Sequence, residues 1–327
     1  MIFVLHGLIA FCLIASAIST LRIAKWWVKG WDVSRVHLTW VMFILLILTI
    51  IFLPLNNLST LFYLIGLTLA IIHHAIILFP YTIFHKTEIE RADKSDFALK
   101  FMTVNVREKN KDYQNLIDLV NEVKPDLLLL TETNQAWLDK VLFLREQYDY
   151  TIFQPQENTY GMLFFSKYAL KNSQIKFLVE DDVPSIHTNI EFKDKIIQFF
   201  GMHPRPPAPS NKSEHKDLEL IKIAGITNEN NLPTIVGGDL NDVGWSKITQ
   251  TFKMISGLKD PRVGRGFYNT YNALIPIFRV PIDHFFLSKE FKLLKIARLK
   301  KIGSDHFPVL IEVDLSNYIE DEKIHNL

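Results

Sequence analysis

The sequence of 327 residues contains a single cysteine, Cys12, and this scarcity removes several classes of protein. A disulfide within the chain is impossible, and a metal site or nucleophile built on cysteine is not expected. An excess of positive or negative charge is also lacking, because residues 98–315 hold 28 Lys+Arg and 27 Asp+Glu. This balance does not favour strong non-specific binding to nucleic acid, which depends on clustered Lys and Arg.

Charge is nearly absent from the first quarter of the chain, where three apolar runs reach membrane-spanning length. The runs cover residues 2–20, 37–55 and 61–84. A spanning helix needs ~20 predominantly apolar residues, so we expect a transmembrane segment of three helices over residues 1–84. Buried helices of a water-soluble core are the alternative, which three successive runs disfavour. The first run lacks a basic start and a small-residue cleavage site, so we interpret it as a retained helix.

The loops between these runs predict which way the protein faces. The first loop contains Arg22, Lys25, Lys29 and Arg35, whereas the second contains no Lys or Arg. The positive-inside rule places the first loop in the cytoplasm. The third span then returns the chain to that side, so we expect the N-terminus outside and the remainder of the chain in the cytoplasm.

The pattern changes after a polar linker at residues 85–97. Short apolar runs alternate with turns and with an amphipathic helix at 112–123. Strands are predicted at 99–104, 127–130, 162–166, 187–192, 196–202, 234–238, 284–288 and 307–313. This alternation indicates one α/β or α+β domain over residues 98–315, here called the second domain, with 316–327 as a tail.

Polar side chains occur where the predicted strands of the second domain begin or end. They are Asn105, Glu132, His203, Asp239, Asn241, Asp283, Asp305 and His306. Strand ends can present such side chains to one cleft. Each has a simpler reading, for example Asp239 and Asn241 as an ordinary turn after Gly237 and Gly238. Together, with no competing cysteine or serine motif, they favour metal-assisted hydrolysis.

These residues belong to an ordered series of short motifs. The series runs Thr103–Val106, Pro125–Asp126, Thr131–Asn134, Gly161–Lys167, Gly201–Pro204, Gly237–Asn241, Pro281–His284 and Gly303–Val309. It resembles the endonuclease/exonuclease/phosphatase superfamily, which includes DNase I-like nucleases, inositol polyphosphate phosphatases and neutral sphingomyelinases. The apolar N-terminal helices, with the segments 242–246 and 260–266, are similar to the bacterial YafD-like, membrane-anchored branch.

The resemblance implies both a fold and an activity. The fold is an α/β (α+β) four-layer sandwich of two packed mixed β-sheets flanked by helices, here preceded by the three transmembrane helices. The activity is hydrolysis of phosphate esters that depends on Mg²⁺, for which Mn²⁺ is a possible substitute. The expected location is the bacterial inner membrane.

The resemblance also implies which residues form a metal site. Asn105 and Glu132 would help to bind Mg²⁺, and Asp305 would join or support that site. Thr131 and Leu240 stand where the family frequently has Gln and Phe. Neither change removes a catalytic group, so activity is expected.

The remaining matched positions would act on the phosphate and the water. His203 would contact the scissile phosphate, and Asp239 would align or deprotonate the attacking water. Asn241 would hold the water and the phosphate. His306 would stabilise the charge that builds on the phosphate, with Asp283 orienting one of the histidines.

The substrate stays open at this point. A nuclease is the first interpretation, from the family alone, and Arg262 and Arg265 are candidates for a substrate-binding patch, although a solvated loop is the alternative. Tethering to a bilayer favours a lipid or inositol-phosphate phosphodiesterase or phosphatase equally well. A non-catalytic scaffold of the same fold is disfavoured by the intact set of acids, amides and histidines. The expected partners are a phosphate-ester substrate and the lipid bilayer, with no obligate protein partner.

Overall fold

The structure is a computed structural model that describes residues 2–21, 23–209, 213–229 and 231–315. The predicted tail 316–327 lies outside the described residues. The first four helices are α1 (Ile2–Ser19), α2 (Trp26–Val33), α3 (Arg35–Phe52) and α4 (Leu58–Leu78). Three of them, α1, α3 and α4, are long and apolar enough to cross a membrane, in agreement with the three predicted runs.

The three long helices have an apolar exterior as well as an apolar interior. Ile9, Met42 and Leu67 are buried where the helices meet. Large apolar side chains also cover the outward faces, including Phe11, Ile14, Trp40, Ile44, Ile51, Phe62 and Ile76. A helix that is hydrophobic all round requires either a protein core or a lipid environment around it.

The second domain contains two mixed β-sheets. The described strands are β1 (Ala98–Asn105), β2 (Leu127–Thr131), β3 (Tyr150–Gln154), β4 (Met162–Ser166), β5 (Leu170–Lys176), β6 (Ser185–Phe192), β7 (Lys195–Met202), β8 (Thr234–Asp239), β9 (Asp283–Leu287), β10 (Lys292–Arg298) and β11 (Val309–Asp314). One sheet has the order β10-β11-β1-β2-β4-β3 and the other β5-β6-β7-β8-β9. Every predicted strand is present, with ends shifted by up to two residues. The strands β3, β5 and β10 were not predicted.

Four helices complete the layers in the described part of the second domain. They are α5 (Tyr113–Val123), α6 (Gln135–Val141), α7 (Ser213–Thr227) and α8 (Lys247–Ser256), with short 3-10 turns at Phe79–Tyr81, Leu142–Glu146 and Pro276–Phe278. The first pair packs on the outer face of the six-stranded sheet and the second pair on the five-stranded sheet. The predicted four-layer sandwich of two packed mixed sheets flanked by helices is therefore confirmed.

Aromatic side chains fill the space between the two sheets. Phe101 of β1 lies with its ring centroid 5.3 Å from Phe199 and 4.9 Å from Phe285, both on the opposite sheet. Phe164 stacks on Phe199 at 4.5 Å. Aromatic pairs in such geometries add to the stabilisation from burial alone. This core fixes the two sheets against each other and so fixes the strand ends that carry the polar residues.

The ends of α1, α2 and α4 that face the second domain are packed against it. Trp245 donates its indole N–H to the carbonyl of Asp32 at 2.8 Å, and its ring lies 5.5 Å from that of Tyr81, just after α4. Lys29 of α2 pairs with Asp217 of α7. The basic first loop and the second domain therefore lie at the same end of the helical bundle.

The segment 85–97, expected as a polar linker, lies on the second domain. Ile89 is buried in the core between the sheets, and Glu88 accepts a hydrogen bond from Lys253 at 2.7 Å. Ala92 donates its backbone N–H to Leu293 of β10 at 3.0 Å. These contacts shorten the free connection between the helices and the sandwich.

Candidate active site

The carboxyl ends of parallel strands from both sheets meet at one edge of the sandwich. Asn105 ends β1 and Asp239 ends β8, while Glu132 follows β2 directly. The amide nitrogen of Asn105 donates to Glu132 Oε1 at 2.8 Å and to Asp239 Oδ2 at 2.9 Å. The Asn105 side chain thus joins the two sheets through two carboxylates that are 27 and 134 residues away in the chain.

The orientation of the Asn105 amide differs from that of an amide that binds a metal ion through its oxygen. Its oxygen accepts the backbone N–H of Arg107 at 2.9 Å, which leaves the nitrogen facing the acids. An amide nitrogen is a donor and does not bind a cation. In this structure Asn105 therefore positions Glu132 and Asp239, and its binding of the ion stays a prediction.

The backbone at this edge takes conformations that few residues tolerate. Gly238 has φ +140°, and a Cβ built on it would lie 2.0 Å from the carbonyl oxygen of Met202 on the neighbouring strand. Only glycine fits there. Glu132 and Asn241 are in the left-handed region, with φ of +57° and +50°. Such strained positions are held by surrounding structure and cluster at functional sites.

Two overlapping groups of acids and histidines share Asp239. Ligand atoms of Glu132, His203 and Asp239 all lie within 4.8 Å of one another, and so do those of Asp239, Asp283 and His306. His203 Nε2 and His306 Nε2 each lie 3.7 Å from Asp239 Oδ2. Asp283 Oδ2 lies 2.9 Å from His306 Nδ1 and so orients that ring.

Burial and mutual repulsion shape the electrostatics of the site. Burial, followed by repulsion from Asp283, raises the pKa of the Asp239 carboxyl. Burial is also the main cause that raises the pKa of Glu132. Two poorly solvated acids in close contact favour a nearby cation.

The two histidines respond to the site in opposite ways. Burial lowers the pKa of the His203 imidazole to about 4, so this ring is neutral near pH 7. Burial also opposes charge on His306, but the carboxylates of Asp283 and Asp239 outweigh it and raise the pKa of His306 to about 10. The site therefore contains one neutral and one cationic imidazole.

The donor set fits a hard divalent cation. Glu132 and Asp239 supply carboxylate oxygens, which Mg²⁺ and Mn²⁺ prefer, and the set includes no sulfur ligand. His203 Nδ1 is buried and has no hydrogen-bond partner among the described residues. Of the side chains that could hold the ion, His203 is thus the one with a buried polar atom left without a protein partner among the described residues.

Asp305 lies at the border of this cluster. Its carboxylate is 3.7 Å from the Arg107 guanidinium and is more exposed than Asp239. The loop that carries Asp305 is fixed by Ser304, whose hydroxyl donates to the Asn105 carbonyl at 2.8 Å and accepts the N–H of His306 at 3.0 Å.

Asn241 supports Asp239 from the other side. Its backbone N–H donates to Asp239 Oδ1 at 2.9 Å, and its side-chain amide donates to the Pro204 carbonyl at 3.0 Å. Together with the bond from Asn105, both carboxylate oxygens of Asp239 accept a hydrogen bond. The Asp239 side chain is therefore held in one orientation.

The two arginines expected in a substrate-binding patch lie elsewhere. Arg262 is buried and donates to both carboxylate oxygens of Asp260, at 3.0 and 2.7 Å, and it contacts His284. Arg265 donates to the carbonyls of Pro261 and Ile89. Because their guanidinium groups are occupied by protein partners, this placement contradicts the expectation of an arginine patch for substrate.

Several residues lie near the site although the sequence does not assign them to it, and for Tyr160 the sequence favours core packing over the lining of a cleft. The ring of Tyr160 lies 5.3 Å from His203, and that of Tyr271 lies 5.0 Å from His306. The Arg205 guanidinium stacks 4.5 Å above the Tyr160 ring. Ser304 could have been assigned to the site, because it lies within the motif Gly303–Val309. No motif of the sequence includes Arg205 or Tyr271, so neither could have been assigned in this way.

Comparison with known proteins agrees with this geometry. A family model described as "Endonuclease/Exonuclease/phosphatase family" matches residues 102–306. The chain belongs to the endonuclease/exonuclease/phosphatase family. Members of this family are phosphoesterase hydrolases that generally depend on a divalent metal, and this chain is a hydrolase of that type. No curated protein matches it.

Solved structures share the fold at low sequence identity. D. rerio TDP2 complexed with a single-strand DNA product is 15% identical, with a TM-score of 0.58, over 67% of this chain and 100% of that one. The human nocturnin catalytic domain with bound sulfate is 17% identical, with a TM-score of 0.55, over 69% and 97%. A family protein from Leptotrichia buccalis is 18% identical, with a TM-score of 0.52, over 66% and 99%.

Proposed function

We propose that this protein is a membrane-anchored, Mg²⁺-dependent phosphoesterase that hydrolyses a phosphodiester or phosphomonoester by in-line attack of water. The observation that carries the proposal is the meeting of Asn105, Glu132, His203, Asp239 and His306 in one buried cluster. These residues come from both sheets, so their proximity is a property of the fold.

Glu132 is proposed as the main ligand of the ion, with Asp305 beside it. Asn105 holds the Glu132 and Asp239 carboxylates in place through its two hydrogen bonds. A divalent ion bound here supplies a Lewis acid that neutralises charge on the phosphate oxygens and on the leaving oxygen.

Asp239 is proposed to align or deprotonate the attacking water. The hydrogen bonds from Asn105 and Asn241 fix its carboxylate. A base that is already oriented loses little conformational entropy on reaching the transition state for proton transfer. The proposed role of Asn241 is to hold the water and the phosphate.

His306 and His203 are proposed to face the phosphate. Asp283 accepts from His306 Nδ1, so Nε2 is the atom directed toward Asp239 and the reacting group. A donor positioned where negative charge grows stabilises the transition state. His203 Nε2 lies 3.7 Å from the same carboxylate and is proposed to contact the scissile phosphate.

The membrane placement extends the proposal. Three spanning helices with the basic first loop at the end of the second domain predict an integral protein of a bacterial inner membrane whose active site faces the cytoplasm. Membership of the YafD-like, membrane-anchored branch is part of the same proposal. A nuclease-type phosphodiesterase is the first interpretation from the family, and a lipid or inositol-phosphate esterase is the second.

Metal dependence is the direct test of this function. The full-length protein in detergent should hydrolyse bis-p-nitrophenyl phosphate, lose that activity in EDTA, and regain it with added Mg²⁺ or Mn²⁺. Asp239→Asn should abolish turnover without lowering Tm, whereas the control Asp118→Asn, on the exposed face of α5, should leave both unchanged. Equal turnover in EDTA would remove the metal from the proposal, and retained turnover in Asp239→Asn would remove the assigned base.

A further inference from the structure

An exposed apolar loop lies beside the proposed active site. Residues 274–278, here called the apolar loop, have the sequence Leu-Ile-Pro-Ile-Phe, and all five are exposed. Ile277 is 72% exposed and Phe278 58%. Isolated apolar residues on a surface need no explanation, but a contiguous run marks a contact site for another molecule or for a membrane.

The protein holds this loop in a defined conformation. The side-chain oxygen of Asn272 accepts the N–H groups of Leu274 and Ile275, at 2.8 and 3.2 Å. Phe278 donates its N–H to the Ile275 carbonyl at 3.1 Å. The apolar side chains are therefore presented outward by a fixed turn.

The apolar loop reaches the membrane helices at the first turn of α3. The Phe278 ring lies 6.2 Å from the ring of His37 on α3. Trp40 follows His37 by three residues, a rise of about 4.5 Å along the helix axis, and its side chain is exposed. An outward tryptophan near the end of a spanning helix is typical of the bilayer interface. This geometry puts the apolar loop at the depth of the interfacial region.

Cationic side chains flank the apolar loop. Arg279 follows it directly, and the guanidinium groups of Arg279 and Arg298 lie 4.9 and 4.4 Å from the centre of the Phe307 ring. Arginines beside an inserted apolar segment attract anionic lipid phosphates. A lipid surface satisfies both the apolar residues and these charges, which a purely apolar protein partner would not.

The same loop is joined to the catalytic residues. Ala273, immediately before it, donates its N–H to the Asp305 carbonyl at 2.7 Å. Tyr271, two residues earlier, lies against His306 and packs against an apolar cluster that includes Leu78 at the end of α4. The catalytic cluster is thus connected to the apolar loop by only a few residues.

We propose that the apolar loop inserts into the bilayer interface and holds the active site against the membrane surface, so that the substrate is a phosphate ester carried by a lipid. This inference rests on the proposed function for its chemistry, whereas the insertion of the loop stands on geometry alone. A soluble nucleic acid as substrate is the competing outcome.

The depth of the loop is measurable in the full-length protein. The only native thiol is Cys12, so Cys12→Ser followed by Ile277→Cys gives one labelling position for an environment-sensitive fluorophore. The matched control is Phe143→Cys, an exposed aromatic position on the helical layer outside the six-stranded sheet. In phosphatidylcholine–phosphatidylglycerol vesicles, spin-labelled lipids should quench the label at 277 and not at 143. A label at 277 with aqueous emission and no quenching would overturn the insertion.

Activity then separates the substrate classes. Ile277→Glu combined with Phe278→Glu should lower turnover of phosphatidylglycerol or phosphatidic acid in vesicles by at least about tenfold, since withdrawing two apolar side chains from the bilayer costs more than the ~1.4 kcal/mol that corresponds to a tenfold change. Turnover of bis-p-nitrophenyl phosphate should be unchanged, and Phe143→Glu should change neither.

The outcomes distinguish this inference from the proposed function. Hydrolysis of the soluble ester or of single-stranded DNA with neither lipid hydrolysed would overturn the lipid substrate. An equal loss on the soluble and vesicle substrates in the double variant would do the same. If the wild type hydrolyses no phosphate ester, the proposed function fails, while the quenching result still decides whether the loop is inserted.

Discussion

The ion pair between Lys216 of α7 and Asp242 gives a quantitative test of how the catalytic edge is supported. Asp242 follows Asn241 directly, and both side chains of the pair are almost fully buried, at 1% and 2% exposure. The Lys216 amine also lies 3.4 Å from the Asn241 carbonyl. Removing one partner of a buried pair leaves an uncompensated charge and costs roughly 3–5 kcal/mol.

Lys216→Met keeps the aliphatic stem of the side chain and removes its charge. A loss of this size lowers Tm by roughly 6–20 °C in a domain of this length. The pair Lys216→Met with Asp242→Asn should recover most of that loss, because no buried charge is then left unpaired. Tm can be followed by tryptophan fluorescence of the full-length protein in detergent.

The control is an exposed pair. Lys300 and Glu122 form an ion pair with side chains 58% and 63% exposed, and pairs of this kind contribute ~1 kcal/mol or less. Lys300→Met should therefore shift Tm by a few degrees at most. If Lys216→Met shifted Tm no more than Lys300→Met, the reasoning about the buried pair would be wrong.

Three further predictions concern single positions. Asp283→Asn should lower kcat about 100-fold with little change in KM, because His306 loses the carboxylate that orients it. Steady-state kinetics measures both constants, and an unchanged kcat would contradict this role of Asp283. Gly238→Ala should lower Tm strongly, since its Cβ would meet the Met202 carbonyl, whereas Gly225→Ala on α7 has open space and should raise Tm slightly; equal shifts would refute this. Glu219 should make stability depend on pH, since burial raises its pKa from 4.5 to about 8. The stabilisation is complete below pH 4.5 and is lost progressively until pH has risen through about 8, so Glu219→Gln should flatten the fall in Tm between these two pH values.

The central strands were predictable because both of their faces are buried. Residues 127–130 are four leucines, and a continuous apolar run between turn signals is typical of such a strand. The missed strands β3 and β10 are the outer strands of one sheet, and β5 is an outer strand of the other. Residues 170–176 of β5 read Leu-Lys-Asn-Ser-Gln-Ile-Lys, which lacks the alternation of a half-buried strand. Edge strands need little apolar content, so their sequences carry a weak signal.

The sequence predicts which residues come together in the candidate site better than it predicts how their side chains are oriented. The ordered motifs are sufficient to assign Glu132, Asp239 and His306 to one site without knowledge of the fold. They did not show that the Asn105 amide turns its nitrogen toward the acids, because that depends on the N–H of Arg107. They also did not show that Arg262 is buried, because its partners Asp260 and His284 meet it only in the folded chain.

Direct binding of a divalent ion tests whether the cluster of Glu132, His203 and Asp239 is a metal site. Mn²⁺ titration of the full-length protein, followed by the electron paramagnetic resonance signal of free Mn²⁺, gives an affinity without any substrate. The wild type should bind Mn²⁺, and Glu132→Gln should weaken binding by at least ~10-fold. Equal affinity in the two proteins, or no binding by the wild type, would contradict a metal site at this edge of the sandwich.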